Sequence, residues 1–122
     1  MRRHVARRAP QEACGLLAGR GDRVESTRGV PNAARSPVRF RMSPRAQLRA
    51  FQRIEDAGLE LVGIYHSHPD GPDHPSPTDL AEAMYPVVYV IWYRRGGKWQ
   101  ARGFRIEAGK FSAVSLQFNN LE

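Results

Sequence analysis

The spacing of apolar and polar residues along the chain predicts both helices and strands. Leu48, Phe51 and Ile54 recur at helical spacing within a polar segment. Ser43, followed by a proline, is typical of a helix start, and Gly58 is typical of a helix end. The other helices are predicted over residues 2–9, before Pro10, and from a start near Ser76.

Continuous apolar runs predict buried strands. Residues 87–93, VVYVIWY, are β-branched and aromatic, as is typical of a central strand. A second run, residues 59–66, predicts another strand. Turns rich in glycine and charge, at 20–22, 94–98 and Gly109, separate shorter strands. These shorter strands are predicted at 13–19, 23–30, 38–42, 99–106 and 112–118.

The length and composition fit one mixed α/β domain covering residues 1–122. No apolar run reaches the roughly 20 residues of a membrane span, and the basic start lacks the hydrophobic segment of a secretory signal. The single cysteine, Cys14, excludes an internal disulfide, so we expect a cytoplasmic location. The final Leu121-Glu122 pair is typical of a cloning remnant and is given no weight.

The net charge of +7 raises the question of nucleic-acid binding. Seventeen of the nineteen basic residues are arginine, however, and they are spread along the whole chain without a recognisable nucleic-acid module. We therefore expect no nucleic-acid and no membrane partner. A basic surface instead favours encounter with an acidic protein partner, and a homodimer stays open.

The segment IYHSHPDGPDHPSPTD, residues 64–79, predicts a metal site at the end of a buried strand. In an extended strand His66 and His68 point to the same face, with Cα atoms about 6.5–7 Å apart. The proline-rich loop that follows is stiff and can return Asp79 to the two histidines. Two histidines and one carboxylate leave a fourth position open, which is typical of catalytic zinc.

Each residue of this segment also has a simpler interpretation. The SPTD sequence, Ser76–Asp79, is ordinary helix-start chemistry, and His66 could be a hydrogen-bonded core histidine. Ser67 faces away from the two histidines, and His74 is expected to face solvent or substrate. Two polar histidines at the end of an apolar strand have no packing reason, so the combination favours the metal site.

Two further roles stay open from the residues alone. A general base is required beside a catalytic metal, and four glutamates are candidates: Glu12, Glu25, Glu55 and Glu60. Cys14 could be a nucleophile, but its apolar neighbours would raise the pKa of its thiol and favour a buried structural cysteine.

The same residues resemble the JAMM motif of the MPN/Mov34 metallopeptidase family. The motif combines an upstream glutamate, His-x-His, ten further residues, an aspartate, and a serine three positions before it. Glu12, His66, His68, Ser76 and Asp79 occupy these positions here. The likeness extends to PQEACGLLAG, residues 10–19, and to NAARSPVRFRMSPRAQ, residues 32–47, and it is greatest to the short prokaryotic branch that includes peptidases of sulfur-carrier proteins.

The resemblance implies a fold and an activity. The fold would be a curved mixed sheet flanked by helices, similar to cytidine deaminases. One Zn²⁺ would be held by His66, His68 and Asp79, with Glu12 as the catalytic base and Ser76 as an oxyanion donor. The substrate would be a ubiquitin-like or sulfur-carrier protein related to ThiS and MoaD, cleaved after its C-terminal glycine. Residues 59–65 and 71–74 are expected to form the cleft for its extended tail.

Alternative functions are also compatible with this family. The leaving group could be cysteine, as in cysteine biosynthesis, or a lysine side chain, as in removal of a ubiquitin-like modifier. A non-catalytic MPN scaffold, or a protein like the RadC group with a nucleic-acid role, is disfavoured because all motif residues are present and no DNA-binding region precedes them. Family members usually begin with a strand before the first helix, so we expect either a shortened start or the loss of an edge strand.

Overall fold

A single mixed sheet of six strands is the centre of the computed structural model, which describes residues 1–34 and 40–117. The strand order is β2-β1-β3-β4-β5-β6. The strands are β1 (Cys14–Arg20), β2 (Arg23–Val30), β3 (Glu60–His68), β4 (Val88–Arg95), β5 (Lys98–Glu107) and β6 (Lys110–Val114). The helices are α1 (Arg2–Arg8), α2 (Pro44–Asp56) and α3 (Pro77–Glu82). The predicted mixed α/β fold is confirmed.

The most apolar strands lie at the centre of the sheet. β3 pairs with β1 in antiparallel and with β4 in parallel orientation. The parallel pair is connected through α3, because parallel strands need a long crossover connection. β3 and β4 therefore end at the same edge of the sheet, where ligands commonly bind in α/β proteins.

Hydrophobic side chains cover both faces of this sheet. Along β1, Leu16 belongs to the core beneath α2, whereas Leu17 belongs to the core on the opposite face, with Val5 of α1 and Trp92 of β4. This alternation follows from the two-residue period of a strand. Since both faces are covered, polar side chains at the strand ends are buried as well.

Local chemistry sets the starts of α2 and α3. Ser43 caps α2, and its hydroxyl oxygen accepts a hydrogen bond from the backbone N–H of Ala46 at 3.4 Å. α3 begins with a capping box between Ser76 and Asp79. None of the helices in the described part of the chain is long and apolar enough to cross a membrane.

Several predicted boundaries differ from the structure. β3 continues to His68 rather than ending at residue 66, because its last residues pair with β4. The strand predicted at 112–118 runs instead over Lys110–Val114; residues 115–117 are outside it. The strand predicted at 38–42 is wrong over residues 40–42, where Met42 makes only an isolated bridge to Asn32. Residues 38–39, 118 and the 121–122 pair lie outside the described residues.

Candidate metal centre

The end of β3 brings two imidazoles together. His66 and His68 are 1% and 3% exposed, and their Nε2 atoms lie 3.0 Å apart. His66 is held between Cys14 of β1 and Ile91 of β4 by strand pairing. The extended backbone therefore directs both rings to the same side of the sheet edge, as the alternation predicts.

Asp79 completes a triangle with the two histidines. Its Oδ2 atom lies 3.1 Å from the Nε2 atom of His66 and 3.1 Å from that of His68. The capping box fixes this position, because the N–H of Ser76 donates to the same Oδ2 at 2.9 Å and the N–H of Asp79 donates to the Ser76 hydroxyl at 3.0 Å. The first turn of α3 thus holds the carboxylate against the strand end.

The hydrogen bonds of His68 orient its ring towards this triangle. Its Nδ1 lies 2.8 Å from the carbonyl oxygen of Pro72, which can only accept, so Nδ1 carries the proton and donates. In the neutral ring, Nε2 then presents a lone pair towards a carboxylate and a second imidazole. Ligand atoms about 2.0–2.1 Å from a tetrahedral ion lie roughly 3.3 Å from one another. The observed spacing of 3.0–3.1 Å is close to this value.

Glu12 lies beside the histidines, just before β1. Its side chain is buried, and a carboxylate oxygen of Glu12 and a ring nitrogen of each imidazole lie within 4.8 Å of one another. Its Oε1 atom is buried without a hydrogen-bond partner among the described residues. Two carboxylates are therefore candidates for a metal ligand, and the shorter contacts belong to Asp79.

The two carboxylates have opposite electrostatic environments. Burial raises the pKa of Glu12 to about 8, offset only in part by the nearby His68. Burial acts in the same direction on Asp79, but its hydrogen bonds to His66 and His68 outweigh burial and hold its pKa far below the usual range. Asp79 is thus an ionised group at neutral pH, whereas Glu12 can carry a proton.

The pKa values of the two histidines also shift in opposite directions. Burial lowers the pKa of His66. For His68 burial also lowers the pKa, but hydrogen bonds to Asp79 and to the Pro72 carbonyl outweigh it and raise the pKa. The protonation of each imidazole is therefore set by its neighbours, and a cation bound in the triangle would replace the protons.

Two side chains that the sequence did not indicate hold Glu12 in place. The amide of Asn32 donates to the carbonyl oxygen of Glu12 at 2.9 Å. Ser67 accepts from the N–H of Ala13 through its hydroxyl at 2.8 Å, and its own N–H donates to the Ala13 carbonyl at 2.9 Å. Ser67 does face away from the metal triangle, and its contacts join the Glu12 segment to β3.

Further residues support the histidines and their loop. Phe40 stacks on His66, with ring centroids 4.4 Å apart. A Cβ atom at position 71 would lie 3.0 Å from the Cβ atom of His68, so a larger residue there would push His68 by a few tenths of an ångström. Asp73 forms ion pairs with Arg102 at 3.2 Å and Arg95 at 3.6 Å. Glycine and aspartate are common in any loop, and the sequence carried no separate signal for these contacts.

Of the four candidate glutamates, the structure brings Glu12 to the metal triangle. Glu25 pairs with Arg20 at 3.5 Å in the β1–β2 hairpin. Glu60 lies at the opposite end of β3 from His68, and Glu55 is exposed on α2. The choice that the residues alone left open is therefore made by geometry.

Cys14 and His74 lie outside the triangle. Cys14 is fully buried, its thiol donates to the Val30 carbonyl at 3.3 Å, and burial raises its pKa to about 12. It fits the expected structural role and not that of a nucleophile. His74 is half exposed, lies 3.3 Å from a carboxylate oxygen of Asp73 and stacks on Phe111.

The strand order limits one expectation about the cleft. Residues 59–65 were expected to form part of the cleft for an extended substrate tail, and β3 is interior to the sheet. Over Gly63–Tyr65 both of its edges are already paired, with β1 and with β4, so a tail cannot pair with the main chain there. The sequence pattern predicts a strand but not its neighbours. The loop over residues 71–74 does lie beside the triangle, through the Pro72 carbonyl.

Comparison with known proteins agrees with this geometry. The sequence model described as "Prokaryotic homologs of the JAB domain" matches residues 1–106. A relative from Thermus thermophilus, named probable TtuB-protein conjugate cleaving protease, is 43% identical over 114 residues, covering 93% of this chain and 74% of the relative. The CysO-cysteine peptidase of Mycobacterium tuberculosis is 37% identical over 110 residues, covering 87% and 75%.

Other relatives extend the likeness to archaea and to solved structures. The desampylase of Pyrococcus furiosus is 42% identical over 87 residues, which cover 70% of this chain and 61% of that protein. The solution structure of a protein from Desulfitobacterium hafniense superposes with a TM-score of 0.81 at 34% identity, covering 92% of this chain and 81% of the other. A protein from Salinibacter ruber has a TM-score of 0.70 at 34% identity, covering 98% and 85%.

These likenesses confirm the family that the motif indicated. The relatives are named as proteases and peptidases, which confirms the prediction of an enzyme of this type. The family implies a metal, and the structure places Glu12, His66 and His68 close enough together to hold one. With a match that spans residues 1–106, this chain belongs to the prokaryotic JAB family of the JAMM/MPN type.

Proposed function

We propose that this protein is a zinc metallopeptidase that cleaves the bond after the C-terminal glycine of a ubiquitin-like or sulfur-carrier protein. The observation that carries the proposal is the triangle of His66, His68 and Asp79, with Glu12 buried beside it. The names of the relatives support the substrate class, since one is named probable TtuB-protein conjugate cleaving protease and another CysO-cysteine peptidase.

His66, His68 and Asp79 would hold the ion. Two imidazoles and one carboxylate are a donor set that suits zinc, and three protein ligands leave one position open for catalysis. A bound zinc ion supplies Lewis-acid chemistry and lowers the pKa of the attacking water. The hydrogen bond from His68 to Pro72 supports the assignment, because ligating histidines commonly donate their other ring N–H to a carbonyl oxygen.

Glu12 would transfer the protons of the reaction. As a carboxylate it takes a proton from the attacking water and then gives it to the leaving amine. Burial favours this exchange, because it raises the pKa of Glu12 towards neutral pH, to about 8. Its position beside the triangle, fixed by the contacts of Asn32 and Ser67, supports this role.

Ser76 would stabilise the oxyanion that forms on the substrate carbonyl. Its hydroxyl oxygen already accepts a hydrogen bond from the N–H of Asp79, so its own proton is available to the substrate. An oxyanion donor of this kind typically contributes about 3–4 kcal/mol to the lowering of the barrier. The same side chain thus caps α3 and serves the reaction.

A direct test replaces the proposed base. Glu12→Gln is expected to keep close to one zinc per chain and to lower kcat for a carrier–amino-acid adduct by about 10²–10⁴-fold, the usual contribution of general acid–base catalysis. Metal content by atomic absorption and product formation by mass spectrometry give the two readings. Glu25→Gln, which lies in a distant hairpin, is the matched control. A wild-type rate in Glu12→Gln would assign the base to another group.

The preferred leaving amine would show which of the two kinds of relative this protein resembles in its activity. A carrier–cysteine adduct tests the activity for which the CysO-cysteine peptidase is named, and a carrier–lysine isopeptide tests the activity of the conjugate-cleaving proteases. A higher kcat/KM for the adduct would assign release of an amino acid, and a higher kcat/KM for the isopeptide would assign a deconjugating role.

A further inference from the structure

An open cleft of about 490 Å³ lies between β2 and α2, away from the metal triangle. Gly29 of β2 and the α2 residues Ala46 and Ala50 line part of it, and the small side chains of the two alanines leave space between strand and helix. Three arginines line it: Arg28 of β2, and Arg49 and Arg53 of α2. None of the described residues that line the cleft is acidic.

The charges of these three arginines are not neutralised within the described part of the chain. Arg28, Arg49 and Arg53 take part in none of the ion pairs formed by residues 1–34 and 40–117. Other arginines do have carboxylate partners in the same range. Arg49 and Arg53 are also one helical turn apart, where like charges repel. Among the described residues, the cleft is therefore a concentration of positive charge without an ion-pair partner.

The strand that borders the cleft has an open edge. β2 is the first strand of the sheet order, and no strand of the described residues pairs with its outer side. An exposed edge presents free N–H and C=O groups to an extended peptide. In a strand added there, alternate side chains would point to the face of the sheet that α2 covers. Carboxylates at those positions would meet the arginines.

The cleft is within reach of a substrate bound at the metal centre. Val30, at the end of β2, pairs with Cys14, and Cys14 pairs in turn with His66. The end of the cleft strand is thus two strand spacings, about 9–10 Å, from the histidine row. A protein whose C-terminal tail lies at the triangle would therefore have its folded body beside the cleft.

We propose that this cleft binds an extended acidic segment of the ubiquitin-like or sulfur-carrier substrate, an inference that rests on the proposed function. The arginines supply charge-assisted hydrogen bonds to its carboxylates, and the edge of β2 supplies main-chain pairing. Binding at the cleft adds affinity for the folded carrier without taking part in the chemistry. Part of the +7 net charge of the chain would then act in substrate binding at this cleft.

Peptide binding tests the site independently of catalysis. The probe is fluorescein-labelled Glu-Thr-Glu-Thr-Glu-Thr, and its anisotropy is measured with the zinc-loaded protein. The cleft variant Arg28→Gln/Arg49→Gln/Arg53→Gln is expected to bind at least about tenfold more weakly, since it loses charge-assisted contacts. The control variant Arg3→Gln/Arg7→Gln/Arg105→Gln has the same net charge as the cleft variant and should bind the peptide like wild type. Equal weakening in both variants, or in neither, would overturn the proposal.

Competitors and a second peptide test the class of ligand. Glu-Glu-Glu-Thr-Thr-Thr has the same composition but not the alternation, and weaker binding is expected. Tripolyphosphate or hexathymidylate competing as well as the alternating peptide would assign the cleft to phosphate or nucleic acid and overturn the proposal. If the triple variant proves unstable, Arg49→Gln/Arg53→Gln gives the same comparison, because both side chains are exposed.

Hydrolysis assays separate this proposal from the proposed function. With a folded acidic carrier as substrate, KM should be higher for the cleft variant than for wild type, and kcat should be the same for both. With a short peptide that has the same scissile bond after its glycine but no carrier body, neither constant should change. Wild-type protein that cleaves neither substrate would refute the peptidase function, whereas the peptide-binding result would stand on its own.

Discussion

At the scale of single residues, Ser67 links the strand of the histidines to the segment of Glu12. Its hydroxyl and backbone N–H both bond to Ala13, the residue after Glu12, and the side chain is fully buried. Two hydrogen bonds to one neighbouring residue fix the distance between the two segments. We infer that Ser67 is a positioning residue that sets where the Glu12 carboxyl lies.

Ser67→Ala is expected to lower kcat more than zinc affinity. The substitution leaves the Ala13 N–H buried without a partner, which costs about 1–3 kcal/mol, and it loosens Glu12 rather than the metal ligands. Zinc content and kcat of the purified variant give the two measurements. Ser112→Ala, an exposed site on β6, is the control. Loss of zinc together with activity would show that Ser67 supports the triangle instead.

At the scale of elements, the loop between β3 and α3 is attached to the rest of the sheet by charge. Asp73 pairs with Arg102 and Arg95, and Asp70 lies 3.6 Å from Arg94. These arginines belong to β4 and β5, which lie on one side of the loop. The loop also carries the Pro72 carbonyl that orients His68, so its attachment affects the metal centre.

Asp73→Asn is expected to increase hydrogen exchange across residues 69–76. The hydrogen bond from His74, followed by the charges of Arg102 and Arg95, holds the pKa of Asp73 below its usual value. Because its pKa is depressed, ionised Asp73 stabilises the folded loop at pH values above its unfolded pKa of about 3.9. This stabilisation is lost as the pH falls through the folded pKa. Wild-type exchange, expressed relative to the intrinsic amide rate at each pH, should therefore rise only in acid, towards the level of the variant.

Asp22→Asn, in the exposed β1–β2 turn, gives the baseline for the same measurement. Exchange in Asp73→Asn that matches this control at neutral pH would mean that the ion pairs do not hold the loop. High salt offers a second reading, since it screens partly exposed ion pairs and should bring wild type closer to Asp73→Asn.

At the scale of the whole molecule, a bound metal would connect parts of the chain that packing alone holds weakly. α3 carries Asp79 but has none of its residues fully buried, so it gains little stability from the core. His66 and His68, in contrast, are buried at the end of β3, which is an interior strand of the sheet. A cation shared by the two elements would stabilise the native state, because the unfolded chain does not bring the ligands together.

Metal removal is therefore expected to lower the melting temperature. At a free zinc concentration 100 times the Kd the native state gains about 2.7 kcal/mol, which corresponds to roughly 10 °C for a chain of this size. Calorimetry with and without chelator measures the shift. His68→Ala should contain no zinc and show no shift, whereas His74→Ala, outside the triangle, should respond like wild type. Full zinc content in His68→Ala would refute the ligand assignment.

The sequence by itself determined the parts of this protein that depend on local spacing. Helical and strand periods predicted most elements, because side-chain direction repeats every 3.6 or 2 residues whatever the tertiary context. His66 and His68 fall on one face of a strand for the same reason, and Asp79 follows from the helix start at Ser76. The family motif combines these local features, so family and fold class could both be predicted.

Only the tertiary structure decided which distant segments meet. Without the family motif four glutamates were equivalent along the chain, and pairing of β1 with β3 is what brings Glu12 to the histidines. The same pairing closed both edges of β3 to a substrate tail, and the order of the strands left β2 open beside the arginine-lined cleft. The physical reason is that neighbours across a sheet are set by the total burial of apolar surface, a property of the whole chain that no local pattern contains.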